Sequence, residues 1–152
     1  MRKILTALCF CGCVWAEGPN RASQVLTPAI AQKVLGGPAK ASPHNKMADT
    51  MTGPIWVSNA NYSLSGGRSV SLLIRHAASK DEASSIFASS KVSFKGVDVP
   101  GLGVPAYRTT TPAQLNVLKG ANWLIISVGT FKKPEEAGQL KAAKAILPGV
   151  KE

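Results

Sequence analysis

The feature that most constrains the fold is a pair of apolar, β-prone runs near the C-terminal end. Leu115–Leu118 and Trp123–Val128 are separated by Lys119–Asn122, a link that contains a glycine and an asparagine. A link of this length and composition is typical of a tight connection between two antiparallel strands. Prolines and glycines at positions 99–105 interrupt regular structure, and a further strand is expected to begin at Ala106. The segment therefore predicts a meander of antiparallel strands.

Strand patterns also precede this meander. Apolar and polar residues alternate within Ser69–His76, which indicates a half-buried strand. Pro54–Ser58 and the short run Val92–Phe94 are also predicted as strands, and Asn59–Arg68 is predicted as turns. Gly37–Gly53 is predicted as a loop, and its length marks it as either mobile or functional.

Three segments carry helix signals. Thr27 is a suitable N-cap for a short helix that ends at Gly36. Ser79 to Glu82 matches a capping box, and apolar residues follow at helical spacing, which predicts a helix over Ser79–Ser90. The strongest pattern begins at Pro134 and continues as an alanine, lysine and leucine helix close to the C-terminus.

The order of these elements is α-β-β-α-β-β-β-β-α, which places the chain in the α+β class. Most strands are joined by links of hairpin length, and crossovers are too few for a parallel sheet. We expect an antiparallel sheet with its helices packed mainly on one face. The length favours a single domain, which is predicted to span residues 26–149.

The N-terminal residues have the form of a secretory signal peptide. Met1–Lys3 is basic, and Ile4–Ala16 is an apolar run too short to span a bilayer as a mature anchor. Small residues near the end of this run predict cleavage before Glu17, so that residues 1–16 are the signal peptide and residues 17–25 a flexible leader. The protein is therefore expected to be exported to the periplasm or cell envelope of a bacterium.

A second processing route stays open because Phe10–Cys13 loosely resembles a bacterial lipobox. Cys13 would then be acylated, and membrane attachment is predicted only in that case. Cys9, Cys11 and Cys13 are the three cysteines of the chain, and their spacing is not that of a zinc site. The sequence therefore predicts no metal site and, after processing, no internal disulfide.

The net charge of the chain, and the way it is distributed, limit the classes of molecule that the protein is expected to bind. The formal net charge is +10, and loss of Arg2 and Lys3 with the signal peptide would lower it to +8. The basic residues are spread along the chain without a basic stripe, so no nucleic-acid partner is predicted. A diffuse positive field fits attraction to anionic envelope polymers or lipid head groups, although its commoner meaning is solubility.

The pattern as a whole resembles a group of small secreted envelope domains of unknown function, many of them lipoproteins, found widely in bacteria. The resemblance lies in Leu26–Ala29 at the start of a helix, in Gly101–Tyr107 and in Leu115–Gly120. It implies a curved antiparallel sheet with packed helices, comparable to PsbP-like folds. Relatives often place a Cys-x-Tyr near the first strand, where this chain has Trp56–Ser58. The resemblance implies no catalytic residues.

The residue types that usually carry catalysis are sparse. His44 lies in the predicted loop and His76 ends a strand, and no nucleophile motif surrounds a serine. Gly101 and Gly103 lack the third glycine and the strand-to-helix context of a dinucleotide loop. The sequence therefore predicts no catalytic residue and no cofactor.

Two classes of function remain. The favoured one is a non-enzymatic, exported module that binds a small apolar or anionic ligand, or a partner protein of the envelope. The alternative is a secreted enzyme or enzyme inhibitor whose site is assembled from dispersed residues. Aromatic residues on strands, including Trp123, belong either to the core or to a ligand groove. The candidate binding surface consists of Tyr107, Arg108, His44 and Trp56.

Overall fold

The computed structural model describes residues 19–43, 49–52 and 55–152. Within these ranges the chain forms four α-helices and eight β-strands, which confirms the α+β class. The helices are α1 (Ala22–Val25), α2 (Pro28–Leu35), α3 (Lys80–Ser93) and α4 (Glu136–Ile146). The strands are β1 (Lys40–Ala41), β2 (Asp49–Thr52), β3 (Ile55–Ser63), β4 (Ser69–His76), β5 (Val97–Asp98), β6 (Ala106–Thr110), β7 (Ala113–Lys119) and β8 (Asn122–Gly129).

The eight strands form one antiparallel sheet. Its order is β1-β3-β4-β8-β7-β6-β5, and β2 pairs with the same edge of β3 as β1 does. Strands β7 and β8 pair from Lys119 opposite Asn122 to Leu115 opposite Ile126. The predicted hairpin is therefore confirmed, with Gly120 and Ala121 as its turn.

One side of the sheet, called the inner face here, packs against α1, α2 and α4. The central strands contribute fully buried aliphatic side chains to this side: Leu72, Ile74, Leu115, Val117, Leu124 and Ile126. Leu35 of α2 and Ile146 of α4 belong to the same core. Burial of this apolar layer is the main source of stability in a domain of this size.

The opposite side, called the outer face, is covered in part by α3. Successive residues of a strand point to opposite sides of the sheet, so Trp123 and Ile125 of β8 face away from the inner core. Phe87 of α3 packs with Tyr107 of β6 and with Trp123 in a second, smaller core. Leu73 of β4, also on this side, is only half-buried.

The predicted helix boundaries depend on caps that the structure contains. The Thr27 hydroxyl accepts a hydrogen bond from an amide of the first turn of α2, and Gly36 ends that helix with a φ of +73°. The Ser79 hydroxyl accepts a hydrogen bond from the Glu82 amide at the start of α3, at 3.1 Å. The C-terminal helix is also confirmed, although it begins at Glu136.

The predicted strand over Val92–Phe94 is wrong. Helix α3 continues through Ser93, and the next strand is β5, which begins at Val97. Two alternating apolar residues are too short a pattern to outweigh the continuation of a capped helix. The chain leaves the helix only at Lys95, which has a φ of +51°, and Gly96.

Three irregular segments predicted by the sequence are partly regular. The predicted loop Gly37–Gly53 contains β1 and β2, which owe their structure to pairing with β3. The predicted turns begin too early, because β3 continues to Ser63 with Asn59 and Asn61 on its outer side. Within the predicted flexible leader over residues 17–25, Ala22–Val25 form α1, and the Ala22 amide donates to the Ser58 hydroxyl at 2.8 Å. The first residues of that leader and the predicted signal peptide lie outside the described ranges.

Candidate functional site

A groove of about 510 Å³ separates α3 from the outer face of the sheet. Its floor is formed by side chains of β4, β6, β7 and β8, and one wall is formed by α3. The lining residues are Arg75, Ser85, Ile86, Ser89, Ser90, Ser93, Phe94, Tyr107, Thr109, Pro112, Gln114, Asn116, Trp123 and Ile125. No carboxylate or imidazole is among these lining residues.

The register of the strands places the residues of the groove floor beside one another. Arg75 of β4 lies directly opposite Trp123 of β8, and Tyr107 of β6 lies opposite Asn116 of β7. These positions alternate with inner-face residues, so their side chains point toward α3. Helix α3 faces them with hydroxyl groups at a spacing of four residues, from Ser85 and Ser89.

Trp123 is held in a fixed orientation. Its indole Nε1–H donates a hydrogen bond to Asn116 Oδ1 at 3.0 Å, and its ring meets Phe87 edge-on at 6.3 Å between centroids. The Arg75 guanidinium carbon lies 4.9 Å from the centroid of the Trp123 ring. A cation at this distance from an indole is attracted by the ring quadrupole, and the contact fixes the position of the arginine.

Tyr107 is fully buried, and its hydroxyl lies near that of Ser90 but makes no hydrogen bond of good geometry in the described part of the chain. Burial raises the pKa of the phenol, and the nearby Ser90 hydroxyl and Arg75 charge oppose that rise. Gly96 passes so close to the ring that an added Cβ would lie 2.4 Å from Tyr107 Cδ2. A protonated phenol is therefore held against the groove by its neighbours.

Arg75 differs from the other arginines of the described ranges. Arg21, Arg68 and Arg108 each form an ion pair, with Asp49, Glu135 and Glu136 respectively. Arg75 has no carboxylate partner there, and its Nε–H is buried without a hydrogen-bond acceptor. Buried charges in proteins are usually paired. The groove therefore carries a positive charge that the described residues do not neutralise.

The structure does not bring the sequence-predicted surface together. Tyr107 is on the outer face, whereas Arg108, its neighbour in β6, reaches α4 and donates to Glu136 at 3.0 Å. Trp56 lines a separate depression with Met51 and His76 at the β3 edge. His44 lies outside the described residues.

The sequence-based candidate surface omits the residue that defines the groove, Arg75, as well as the serines of α3. One signal in the sequence could have found the serines. Serines recur every four residues along a helix that also has an apolar side, from Ser85 through Ser89 to Ser93. A stripe of hydroxyl groups beside an apolar stripe indicates a helix that is not packed flat on its sheet.

No protein-family model, curated protein or solved structure matches the chain. The resemblance to bacterial envelope domains therefore stays a prediction. No three His, Cys, Asp or Glu side chains lie close enough to hold a metal ion among the residues described. No helix in the described ranges has the length and hydropathy needed to cross a bilayer.

Proposed function

We propose that the protein is a non-enzymatic binding module whose groove beneath α3 takes a small anionic ligand with an apolar body. The observation that carries this proposal is Arg75, a half-buried cation without a carboxylate partner among the described residues. An acceptor group on a ligand would supply the partner that the described residues do not. The gain is large because a charge-assisted hydrogen bond in a partly desolvated site is stronger than one in water.

The other lining residues suit such a ligand. The volume of about 510 Å³ lies within the usual range of small-molecule sites, roughly 300 to 1,000 Å³. Trp123, Ile86 and Phe94 offer apolar surface, and the Tyr107 hydroxyl offers a second buried donor. Two donors and an apolar wall favour an oxyanion attached to an aromatic or aliphatic group.

The setting of this activity is part of the proposal. We place the protein in the bacterial envelope because residues 1–16 have the form of a signal peptide. The curved sheet implied by the resemblance to PsbP-like envelope domains belongs to the same proposal. Intact-mass measurement of exported protein should show a chain beginning at Glu17 or at an acylated Cys13, and retention of Met1–Ala16 would contradict the proposed export.

Two fluorescent probes with nearly the same aromatic skeleton test the function. 8-Anilinonaphthalene-1-sulfonate is an anion, and N-phenyl-1-naphthylamine is neutral. We expect Arg75→Gln to weaken binding of the anionic probe by about tenfold or more, since a hydrogen bond to a charged group contributes about 1.5–3 kcal/mol. Binding of the neutral probe should change little.

Arg21→Gln is the matched control, because it removes an arginine that is paired with Asp49 and lies away from the groove. It should leave both affinities unchanged. Equal losses for Arg75→Gln and Arg21→Gln would show that only net charge matters and would overturn the proposal. A loss confined to Arg108→Gln would instead favour the surface predicted from the sequence.

A further inference from the structure

The groove continues along the outer face into a second depression of about 520 Å³. Pro112 and Gln114 line both spaces, so the two meet at the turn between β6 and β7. We call the combined space the outer-face trough. Six of the twelve residues that line its second half carry hydroxyl or amide groups, namely Ser69, Thr110, Thr111, Gln114, Ser127 and Thr130.

Phe131 lies at the far end of the trough, and its side chain is fully exposed to solvent. The loop that carries it is well defined, because Thr130 and Lys133 exchange two backbone hydrogen bonds of 3.1 Å. Gly129 opens this loop with a φ of +113°, and an added Cβ would lie 2.4 Å from the Lys133 carbonyl oxygen. Phe131 is therefore presented to solvent by a tight turn.

Positive charge marks both ends of the trough. Arg75 lies at one end, and the exposed pair Lys132 and Lys133 follows Phe131 at the other. Neither lysine forms a close ion pair with a carboxylate of the described ranges, although the charge of Lys133 acts on the nearby Glu135 and helps to lower the pKa of that carboxyl group. No Asp or Glu is among the residues that line the trough between these two ends. The trough is about 20 Å long, which is the length of strand β8 from Trp123 to Gly129.

We infer that the trough binds an acidic oligosaccharide, a short chain of uronate sugars. Carboxylates would pair with the cations at the two ends, and sugar hydroxyls would exchange hydrogen bonds with the serines, threonines and Gln114 between them. An exposed aromatic ring such as Phe131 offers an apolar face against which a sugar ring can pack. This inference rests on the anion-binding function proposed above. An oligosaccharide is favoured over a lipid because hydroxyl and amide groups alternate with apolar surface along the second half of the trough, as they do on a sugar ring.

Calorimetric titration with galacturonate, digalacturonate and tetragalacturonate tests the inference. We expect the affinity of the full chain to rise by about tenfold or more from the monomer to the tetramer, as further rings reach Phe131. Maltotetraose, which is neutral, should bind far more weakly. Raised salt should reduce the affinity for the acidic tetramer.

Phe131→Ala should remove the gain with chain length while leaving the affinity for galacturonate and for 8-anilinonaphthalene-1-sulfonate unchanged. Val92→Ala is the matched control, because Val92 is exposed by 79% and is not among the residues that line the trough. It should leave the full dependence on chain length in place.

The outcomes separate the two proposals. Affinity that does not depend on chain length, with binding of the anionic probe retained, would overturn the oligosaccharide and leave the anion-binding groove. Loss of the dependence on chain length together with loss of binding of the anionic probe would overturn the anion-binding groove as well. Equal affinity for maltotetraose would contradict the role of charge. Phe131-dependent binding to anionic phosphatidylglycerol vesicles, with none to tetragalacturonate, would assign the trough to a membrane surface and overturn the inference.

Discussion

Tyr107 has a buried hydroxyl that makes no hydrogen bond of good geometry in the described part of the chain, although the Ser90 hydroxyl lies near it. A buried polar group without a partner costs free energy in the folded state. We therefore expect Tyr107→Phe to leave the free energy of unfolding unchanged or to raise it by up to about 1 kcal/mol. Chemical denaturation of the two proteins would measure this difference.

The same substitution should weaken binding of the anionic probe, because the groove loses one of its two buried donors. A group that lowers stability while it strengthens binding is typical of a ligand site. Destabilisation of Tyr107→Phe by more than about 1 kcal/mol would show that the hydroxyl is hydrogen-bonded within the folded protein and would contradict its proposed role.

A second residue-scale prediction concerns acid stability. Arg68 donates to both oxygens of Glu135, at 2.7 Å and 2.5 Å, and also donates to the Leu35 carbonyl oxygen. The hydrogen bonds from Arg68, and its charge, hold the pKa of Glu135 below its ordinary value despite partial burial. The pair therefore stabilises the fold at pH values above the pKa of an unfolded glutamate, near 4.3.

This stabilisation should be lost as the pH falls through the lowered pKa of folded Glu135. We expect Glu135→Gln to cost about 1–2 kcal/mol at pH 7 and to be nearly neutral once the pH is below that value. Glu152→Gln, which breaks an exposed pair with Lys80, is the control and should cost less than about 0.5 kcal/mol. A difference between wild type and Glu135→Gln that does not change with pH would contradict this account.

Residues could be predicted where their partners are local in sequence. The Thr27 and Ser79 caps bond to amides three residues away, and both follow from the sequence. The ion pairs of Arg68 and Arg108 span 67 and 28 residues, so that the sequence could not show which arginine is left without a carboxylate. The importance of Arg75 therefore became visible only with the fold.

At the scale of elements, strand β8 lies between the inner core and the outer-face groove. Its adjacent residues Ile125 and Ile126 face these two sides, so their substitution tests how well each side is packed. Ile126 is fully buried on the inner face, whereas Ile125 is half-buried beside the groove. Ile126→Ala should cost about 2–4 kcal/mol, since it leaves a cavity in the larger core. Ile125→Ala should cost less, about 1 kcal/mol, because part of its surface already meets solvent.

Denaturant titrations of the two variants would compare these costs. A larger cost for Ile125→Ala than for Ile126→Ala would mean that the inner and outer faces of the sheet are reversed. Equal costs would mean that both sides are covered to the same extent, which would contradict an open groove beneath α3.

The central hairpin and three of the helices were predictable because their patterns are long or capped. Strands β1 and β2 were not predictable from their own residues. They contain two and four residues, and they exist because the edge of β3 offers unpaired backbone groups. Helix α1 is likewise too short to form alone, and it is fixed where Ala22 and Val25 are buried against the sheet.

At the scale of the whole molecule, the α+β class followed from element order, whereas the position of α3 did not. Hairpin-length links indicated an antiparallel sheet, but they do not specify which face a helix covers. The structure places α3 on the outer face, opposite the other three helices. This single placement creates the groove. Tyr107 and Arg108 cannot line it together, because neighbours in a strand face opposite sides of the sheet.

The central claim is that an anion binds between α3 and the sheet, on the Arg75 and Trp123 pair. Its most direct test is a titration of ¹⁵N-labelled protein with 8-anilinonaphthalene-1-sulfonate, in which the assigned indole N–H signals and the Arg75 Nε–H signal are followed by NMR. The account expects the Trp123 and Arg75 signals to shift with one common saturation curve while the Trp56 signal stays in place. Shifts at Trp56, beside the separate depression, with Trp123 and Arg75 unchanged, would contradict it.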